Sequence, residues 1–558
     1  MQDIKNVRPQ VKDLTLREKI GQTVIFRHKL LENITDVEGY FTNNPIGAIW
    51  NMGGQKESYR TIENKLGNSE LKGRRDDMWI NCINTINRYI RIPTMPVIDA
   101  KNGIEANKFE DHAELPTHGG LAATKDPELA FRYGKQLGED LHATGFRWLW
   151  SPVADNAGRY RTTRAMSCDY ENNHKMLTAF IHGVQSSGVA TGAKHFPGPD
   201  PYDDRDSHFC TTGYRQSFET WKNTQGREFQ ACIDAGVDSV MVGHFTFKDV
   251  DDTCVNGVLL PSTLSHKIIT GLLKEQMGFK GVVLTDDADM KALAAIYPQD
   301  KLYVELLRAG IDMVLGPVRL DYIDIVEAAV LNGDLPESRI DDACSRILDM
   351  KEKYGLFDKQ EIPHPTEAQR ETIAESIHAV ARDIAAKGLT MTVNRTGIVP
   401  VDATKIRRVK IVYIGYSPIC YDNLKYVVQE FERRGAQCDI QDSFEASDNE
   451  TLHQYDLILY ATYIGHFAPA GAPYFFEEKS RMMRQIMTTC VDKSIGVSFG
   501  DTNIFFNYFT AAYTFINCYS YNPETMEALV KGIYGELQFT DYNPYPLNPI
   551  TRTDDVYA

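Results

Sequence analysis

The chain has no C-x-x-C pair and no Cys/His grouping at metal-ligand spacing among its ten cysteines. That removes zinc ribbons, zinc fingers and thioredoxin-type redox motifs from consideration. The scattered thiols, Cys82, Cys168, Cys210 and Cys438 among them, read instead as small buried hydrophobes in a reducing compartment. Basic charge is also in short supply: 60 Lys and Arg stand against 76 Asp and Glu, a net charge of −16. Nucleic acid and anionic membranes are held by clustered cations, so neither is expected as a partner. No run approaches the roughly 18 apolar residues that a spanning helix needs. The opening MQDIKNVRPQVKDLTLREKIGQ lacks the apolar core of a secretory leader. A cytoplasmic protein is expected on these grounds, with its oligomeric state open.

What is present is an ordinary globular composition, 42% hydrophobic and 24% charged, in a chain of 558 residues. That length exceeds what one core organises, so two to four domains are expected. Eight short apolar, often β-branched runs recur at Gln22–Phe26, Gly47–Trp50, Met95–Asp99, Trp148–Val153, Val189–His195, Val237–His244, Gly281–Asp286 and Ile311–Leu315. Amphipathic helices such as Pro127–Thr144 and Ser262–Met277 lie between them. Strands alternating with helices imply parallel βαβ units. Eight such units fit a closed (β/α)8 barrel of the TIM type, and an open doubly wound sheet is the competing arrangement. Asp99, Asp155, Lys194, His195, His244 and Asp286 stand at the C-terminal ends of these runs. In a barrel those ends converge on the face where active sites form.

A helix over Ser338–Tyr354 closes this region, and the Pro-broken GLFDKQEIPHP follows. Thr366, with Gln369 three residues on, is the capping-box signature of a long helix. Beyond Pro400 the βα pattern restarts, at Arg408–Gly415, Asp456–Thr462, Lys493–Gly500 and Thr514–Ser520, ahead of a Pro/Asn/Tyr-rich tail. The expected organisation is a barrel over 1–357, a linker and connecting helix over 358–399, and a smaller α/β sandwich domain over 400–558.

Two acidic constellations carry chemistry. Asp286 closes a buried strand in GFKGVVLTDDADM, where it either projects into the barrel mouth as nucleophile, base or metal ligand, or caps the next helix. The loop KHFPGPDPYDDRDSHF (Lys194–Phe209) ends in Asp206-Ser207-His208. Residues two apart in an extended segment face the same way. Asp206 can therefore raise the His208 pKa and keep a proton donor available near neutral pH, unless the pair is a surface Asp and His without a partner. No G-x-S-x-G surrounds Ser207, which argues against a Ser-His-Asp triad. No H-x-x-x-H or H-E-x-x-H spacing supports a metal at His195 and His208. Neither a metal nor a cofactor is expected.

On these residues the chain resembles glycoside hydrolase family 3, and within it the β-N-acetylglucosaminidase branch. The resemblance runs from LTLREKIGQ (Leu14–Gln22) to RILDMKEKYGLF (Arg346–Phe357) through KHFPG…DSH, GREFQACIDAGVDSVMVGH, GFKGVVLTDDADM and AGIDMVLGP. It implies a retaining β-N-acetylhexosaminidase acting on a small carbohydrate or glycoconjugate. The nucleophile falls on Asp286 and the acid/base on His208 paired with Asp206. Lys194, His195 and Asp99 fall on sugar-gripping positions, Arg164 on the Arg of the family's R-S-F segment, and His244 and Met290 on the remaining sugar-site motifs.

Three departures stand out. Pro199-Asp200-Pro201 replaces the family's G-H-G or G-D-G, and the spacing to Asp206 is one residue longer. DAKNGIE (Asp99–Glu105) replaces D-Q-E-G-G-R-V, and the chain ends in TDYNPYPLNP without the G-K-L-P-V of family glucosidases. Alternatives are a β-glucosidase or xylosidase using Glu477 or Glu478 as acid, a glycoside phosphorylase, and a catalytically silent sugar-binding protein.

Overall fold

The computed structural model describes residues 7–545 except 54–55, 68–73, 101–108, 110–111, 156–161, 202, 204, 206, 295, 359–360 and 466–474. Two compact units form: Met1–Ala113, Phe131–Asp155 and Leu177–Glu375 make the first, and Glu114–Ala130, Asn156–Met176 and Ser376–Ala558 the second. Two stretches from within the first 357 residues, 114–130 and 156–176, thus group with the second unit.

The first unit is the (β/α)8 barrel. Its strands are β1 Val24–Arg27, β2 Ala48–Asn51, β3 Met95–Ile98, β4 Trp148–Leu149, β5 Ala190–Phe196, β6 Ser239–Val242, β7 Val282–Thr285 and β8 Val314–Leu315. They pair in parallel in chain order around the ring, with β8 beside β1. Every apolar run read as a strand is one.

The ring closes between β7 and β8 through the Leu284–Met313 bridge. Asp312, fully buried just before β8, reinforces that seam. Its carboxylate accepts from the β7 amide of Val283 (2.9 Å) and from Lys274 (3.0 Å), Arg339 (2.5 Å) and Arg346 (3.3 Å). Removing the acceptor from a buried network strands its cations, which costs about 3–5 kcal/mol. Asp312→Ala should therefore lower the free energy of unfolding by that amount, read by chemical denaturation, and Asp312→Asn should recover part of it through the Val283 amide.

Side chains fill the barrel in layers. Ile25, Ala48, Met95, Val97, Trp148, Trp150, Ala190, Met241, Val282, Leu284, Met313 and Leu315 form one buried cluster, with Trp50 packed against it. Trp148 Nε1 donates to Ser239 Oγ (2.9 Å). Gly192 leaves room for that hydroxyl, since a Cβ there would lie 2.6 Å from Ser239 Oγ.

Helix ends follow the capping chemistry in the sequence. Thr15 and Glu18 form a complete capping box ahead of Leu16–Gln22, and the Thr366 and Gln369 pair caps Glu367–Gly388. The helix expected over 262–277 instead splits. The Ser265 hydroxyl accepts from the Ile268 amide (3.1 Å), so a new N-terminus is set and Lys267–Gln276 winds as a separate π-helix.

The second unit holds a six-stranded sheet of β9 Thr390–Asn394, β10 Arg408–Gly415, β11 Gln437–Gln441, β12 Leu457–Tyr463, β13 Ser494–Ser498 and β14 Thr514–Asn517. The strand order is β9-β14-β13-β12-β10-β11, with β9 antiparallel and the rest parallel. The edge strands β9 and β11 escape a reading by apolar runs, because TMTVN and QCDIQ are half polar and only partly covered. Among the described residues, no helix is long and apolar enough to cross a membrane.

Candidate active site

Strand alternation brings the polar strand ends into one mouth. Residues two apart share a face. The inward series Met95, Val97 on β3 therefore continues to Asp99, Ala190, Gly192 on β5 to Lys194, and Val282, Leu284 on β7 to Asp286. The contacts agree. Lys194 Nζ donates to Asp99 Oδ1 at 2.6 Å, with the ammonium side chain buried and the carboxylate half-exposed.

His195 should face away from Lys194 in a regular strand. The pairing register with β6 slips at this point, running Lys194–Met241 and then Phe196–Val242, so His195 is the extra residue of a bulge. A bulge re-aims side chains. His195 Nδ1 meets Asp155 Oδ2 at 3.0 Å, both groups buried. Facing a carboxylate, Nδ1 carries the proton and donates. Asp155 follows β4, whose tail is tied to β5 by the Ala154 and Asp155 amides on the Lys194 carbonyl (2.9 and 3.1 Å).

The loop beyond β5 is fastened at its unusual positions. The Gly198 amide donates to the His195 carbonyl (2.7 Å), Gln225 Nε2 to the Pro199 carbonyl (2.7 Å) and the Arg215 amide to Asp200 Oδ2 (2.8 Å). Gly198 has φ +100°, and a Cβ there would sit 1.4 Å from Gln225 Oε1, so only glycine fits. The Pro199-Asp200-Pro201 insert is thus an anchored turn. Downstream, the half-buried His208 accepts the Lys291 amide on its carbonyl (3.3 Å) and stands near enough for its charge to act on Asp286 and His244. Asp206 lies outside the described residues, so its pairing with His208 is not described.

Asp286 is the electrostatic centre. Burial opposes its charge, yet His195 above all, with the Asp287 amide and His208 behind it, holds its carboxyl down at about 2. The Asp287 amide donates to Oδ1 at 2.8 Å. His195→Gln removes the largest of the favourable charges. The acid limb of kcat/KM on an activated aryl glycoside should then move toward neutral pH, since the carboxyl protonates at higher pH once that pull is gone.

His244 is fully buried, with both ring nitrogens engaged by protein atoms. Nε2 meets the Asp287 carbonyl (2.9 Å), so it carries the hydrogen, and Nδ1 accepts from the Thr263 hydroxyl (3.0 Å). Burial lowers its pKa, in keeping with this neutral form. Met290 is buried too, its amide on the Asp287 carbonyl (3.1 Å), and closes the turn after β7. Arg164 belongs to the second unit, where its carbonyl faces His118 Nδ1 at 3.2 Å. Among the described residues, no group of three or more His, Cys, Asp or Glu is arranged to hold a metal ion.

Two neighbours of the site carry no role in the sequence reading. Asp155 is visible only as a strand-end carboxylate until its bond to His195 is seen. Arg27 is the next inward residue after Ile25, and alternation along QTVIFR was the signal available for it.

Residues 15–350 match the model described as "Glycosyl hydrolase family 3 N terminal domain". The chain belongs to glycosyl hydrolase family 3. This places the barrel among glycosidases. A beta-N-acetylglucosaminidase/beta-glucosidase of Cellulomonas fimi is 26% identical over 477 residues, covering 81% of this chain and 84% of its own. Among solved structures, a beta-glucoside phosphorylase, BglX, superposes with a TM-score of 0.81 at 21% identity over 96% of this chain and 94% of that one. A family 3 beta-N-acetylglucosaminidase from Paenibacillus sp. str. FPU-7 gives 0.77 at 23% identity, over 96% and 99%.

Proposed function

We propose that this family 3 enzyme is a retaining β-N-acetylhexosaminidase that removes a terminal β-linked N-acetylglucosamine, with Asp286 as nucleophile and His208 as acid/base. The observation that carries the reading is the state of Asp286. It is a carboxylate held ionised just past the end of β7, with one oxygen fixed by the Asp287 amide. A nucleophile needs this combination of charge and fixed position.

In the first step Asp286 Oδ2 bonds to the anomeric carbon, and the glycosidic C–O bond breaks. His208 gives its proton to the departing oxygen. In the second step neutral His208 takes a proton from water, the water oxygen bonds to the anomeric carbon, and the Asp286 ester bond breaks. Retention follows from the two inversions. Lys194, held by Asp99, and His195, held by Asp155, supply pre-oriented donors for sugar hydroxyls. Asp206 is assigned to orient His208 and favour its charged form, on the family resemblance.

The N-acetylglucosamine specificity rests on the D-S-H sequence at 206–208 and on the named activity of the Cellulomonas fimi relative. The glucosidase alternative draws its acid from Glu477 or Glu478, which stand exposed at the first turn of Glu477–Gln485 in the second unit. His208, within the same unit as Asp286 and near enough for its charge to act there, favours the histidine.

Phosphorolysis is the second reading. A histidine in place of a carboxylate repels incoming phosphate less, and the BglX neighbour is a phosphorylase by name. A panel of aryl β-glycosides, N-acetylglucosaminide against glucoside, each with and without phosphate, tests all three. Cleavage of the N-acetylglucosaminide to free sugar is expected. Cleavage of the glucoside alone would overturn the specificity, and a sugar 1-phosphate product would replace hydrolysis by phosphorolysis.

A further inference from the structure

We propose that Arg27 is a positioning residue that sets the Asp286 carboxylate by clamping Asp287, an assignment that rests on Asp286 being the nucleophile. Arg27 ends β1, on the opposite side of the β8 strand from β7. Its Nε donates to the Gly316 carbonyl just past β8 (2.9 Å), and its Nη2 pairs with Asp287 Oδ1 and with Asp289 Oδ2 (2.9 Å). One guanidinium therefore ties the ends of β1, β7 and β8 together. Its carbon lies 6.0 Å from the Trp50 ring centre, which supports it from β2.

The clamped residue is the one that addresses Asp286. The Asp287 amide donates to Asp286 Oδ1 (2.8 Å), and the Asp287 carbonyl accepts from His244 Nε2 (2.9 Å) and the Met290 amide (3.1 Å). The Asp287 peptide groups are thus gripped from three directions, with its side chain held by Arg27. Charge gives a second reason for the cation. Asp286, Asp287 and Asp289 crowd one turn, where burial first, and then the Asp289 and Asp286 charges, push the Asp287 carboxyl upward against Arg27's pull. Without Arg27, this repulsion would shift the turn that carries the Asp286-binding amide.

The local backbone is shaped for the clamp. Gly316 adopts φ +64°, and a Cβ there would lie 2.6 Å from Arg27 Nε and 2.9 Å from Asp287 Oδ1. Only glycine leaves the guanidinium room. The fork also explains why lysine cannot substitute: a point charge meets the carboxylates but cannot hold the Gly316 carbonyl in the same geometry.

The test compares Arg27→Met, Arg27→Lys, Asp287→Asn and the double variant R27M/D287N on an aryl β-glycoside. A misplacement of about 1 Å at a reacting centre costs on the order of 10²-fold. Arg27→Met should lose kcat on that scale with KM little changed and thermal midpoint held, and Arg27→Lys should recover little. The double variant should be no worse than the poorer single, because both act through one amide. A folded Arg27→Met with wild-type kcat, or losses that multiply in the double variant, would overturn the clamp. Should Arg27→Met not fold, Gly316→Ala displaces the guanidinium without deleting it and should show the same kcat loss; wild-type kcat there also overturns it. Asp286→Gly separates the two claims. If that variant stays active, the nucleophile assignment fails; if it is inactive while Arg27→Met is fully active, only the clamp fails.

Discussion

Asp286→Gly should lose turnover by on the order of 10⁴-fold or more, the scale seen when a residue that makes a covalent intermediate is removed. The loss should appear on every substrate, including those with excellent leaving groups, because the missing group forms the first bond. Glycine also opens space below the sugar. Azide should therefore restore activity by attacking the anomeric carbon from the vacated side, with the product an α-glycosyl azide. Its anomeric configuration is read by NMR. An Asp286→Gly enzyme that still cleaves an aryl glycoside, or one rescued to the β-azide, would remove Asp286 from the nucleophile's place.

His208→Ala should behave differently, and the difference identifies the acid. On a disaccharide, whose leaving alcohol must be protonated as it departs, kcat/KM should fall by about 10²–10⁴-fold, the range general-acid catalysis supplies. On a dinitrophenyl glycoside, which departs without a proton, kcat/KM should stay near wild type. The second step still needs a base, so kcat on that substrate should fall and the glycosyl-enzyme accumulate as a burst. Azide needs no deprotonation, so it should relieve the accumulation and give the β-azide, opposite in configuration to the Asp286→Gly product. Equal loss of kcat/KM on both substrates would leave His208 without its acid role.

These two positions also show how far the primary structure reaches. Asp286 stood out because GVVLTD pairs a buried β-branched run with a terminal carboxylate, which left projection into the mouth and capping of the next helix both open. Asp99 and Lys194 stood out by position, at the C-terminal ends of their own apolar runs. Eight apolar runs separated by helix-length segments made parallel βαβ units legible, and the choice of a closed barrel over a doubly wound sheet is decided by the pairing of β8 with β1 and the Leu284–Met313 bridge.

His195 was not legible in its actual role. Its orientation depends on a register slip against β6, and its partner Asp155 stands 40 positions away. Sequence places both at strand ends and cannot bond them. His244 illustrates the same limit: its position after β6 suggested contact with sugar, while its two nitrogens are spent on Thr263 and the Asp287 carbonyl. A buried imidazole goes to whatever partners the fold brings, since an unpaired one is costly.

Hydrophobic period located the strands and put Asp286 at the end of one of them, because period is a local property. The tertiary structure decided the loop anchored through Asp200 and Gln225, the His195–Asp155 bond and the Arg27 clamp on Asp287. These contacts join groups 15 to 260 positions apart in the chain. Their energies depend on distances that only the folded chain establishes.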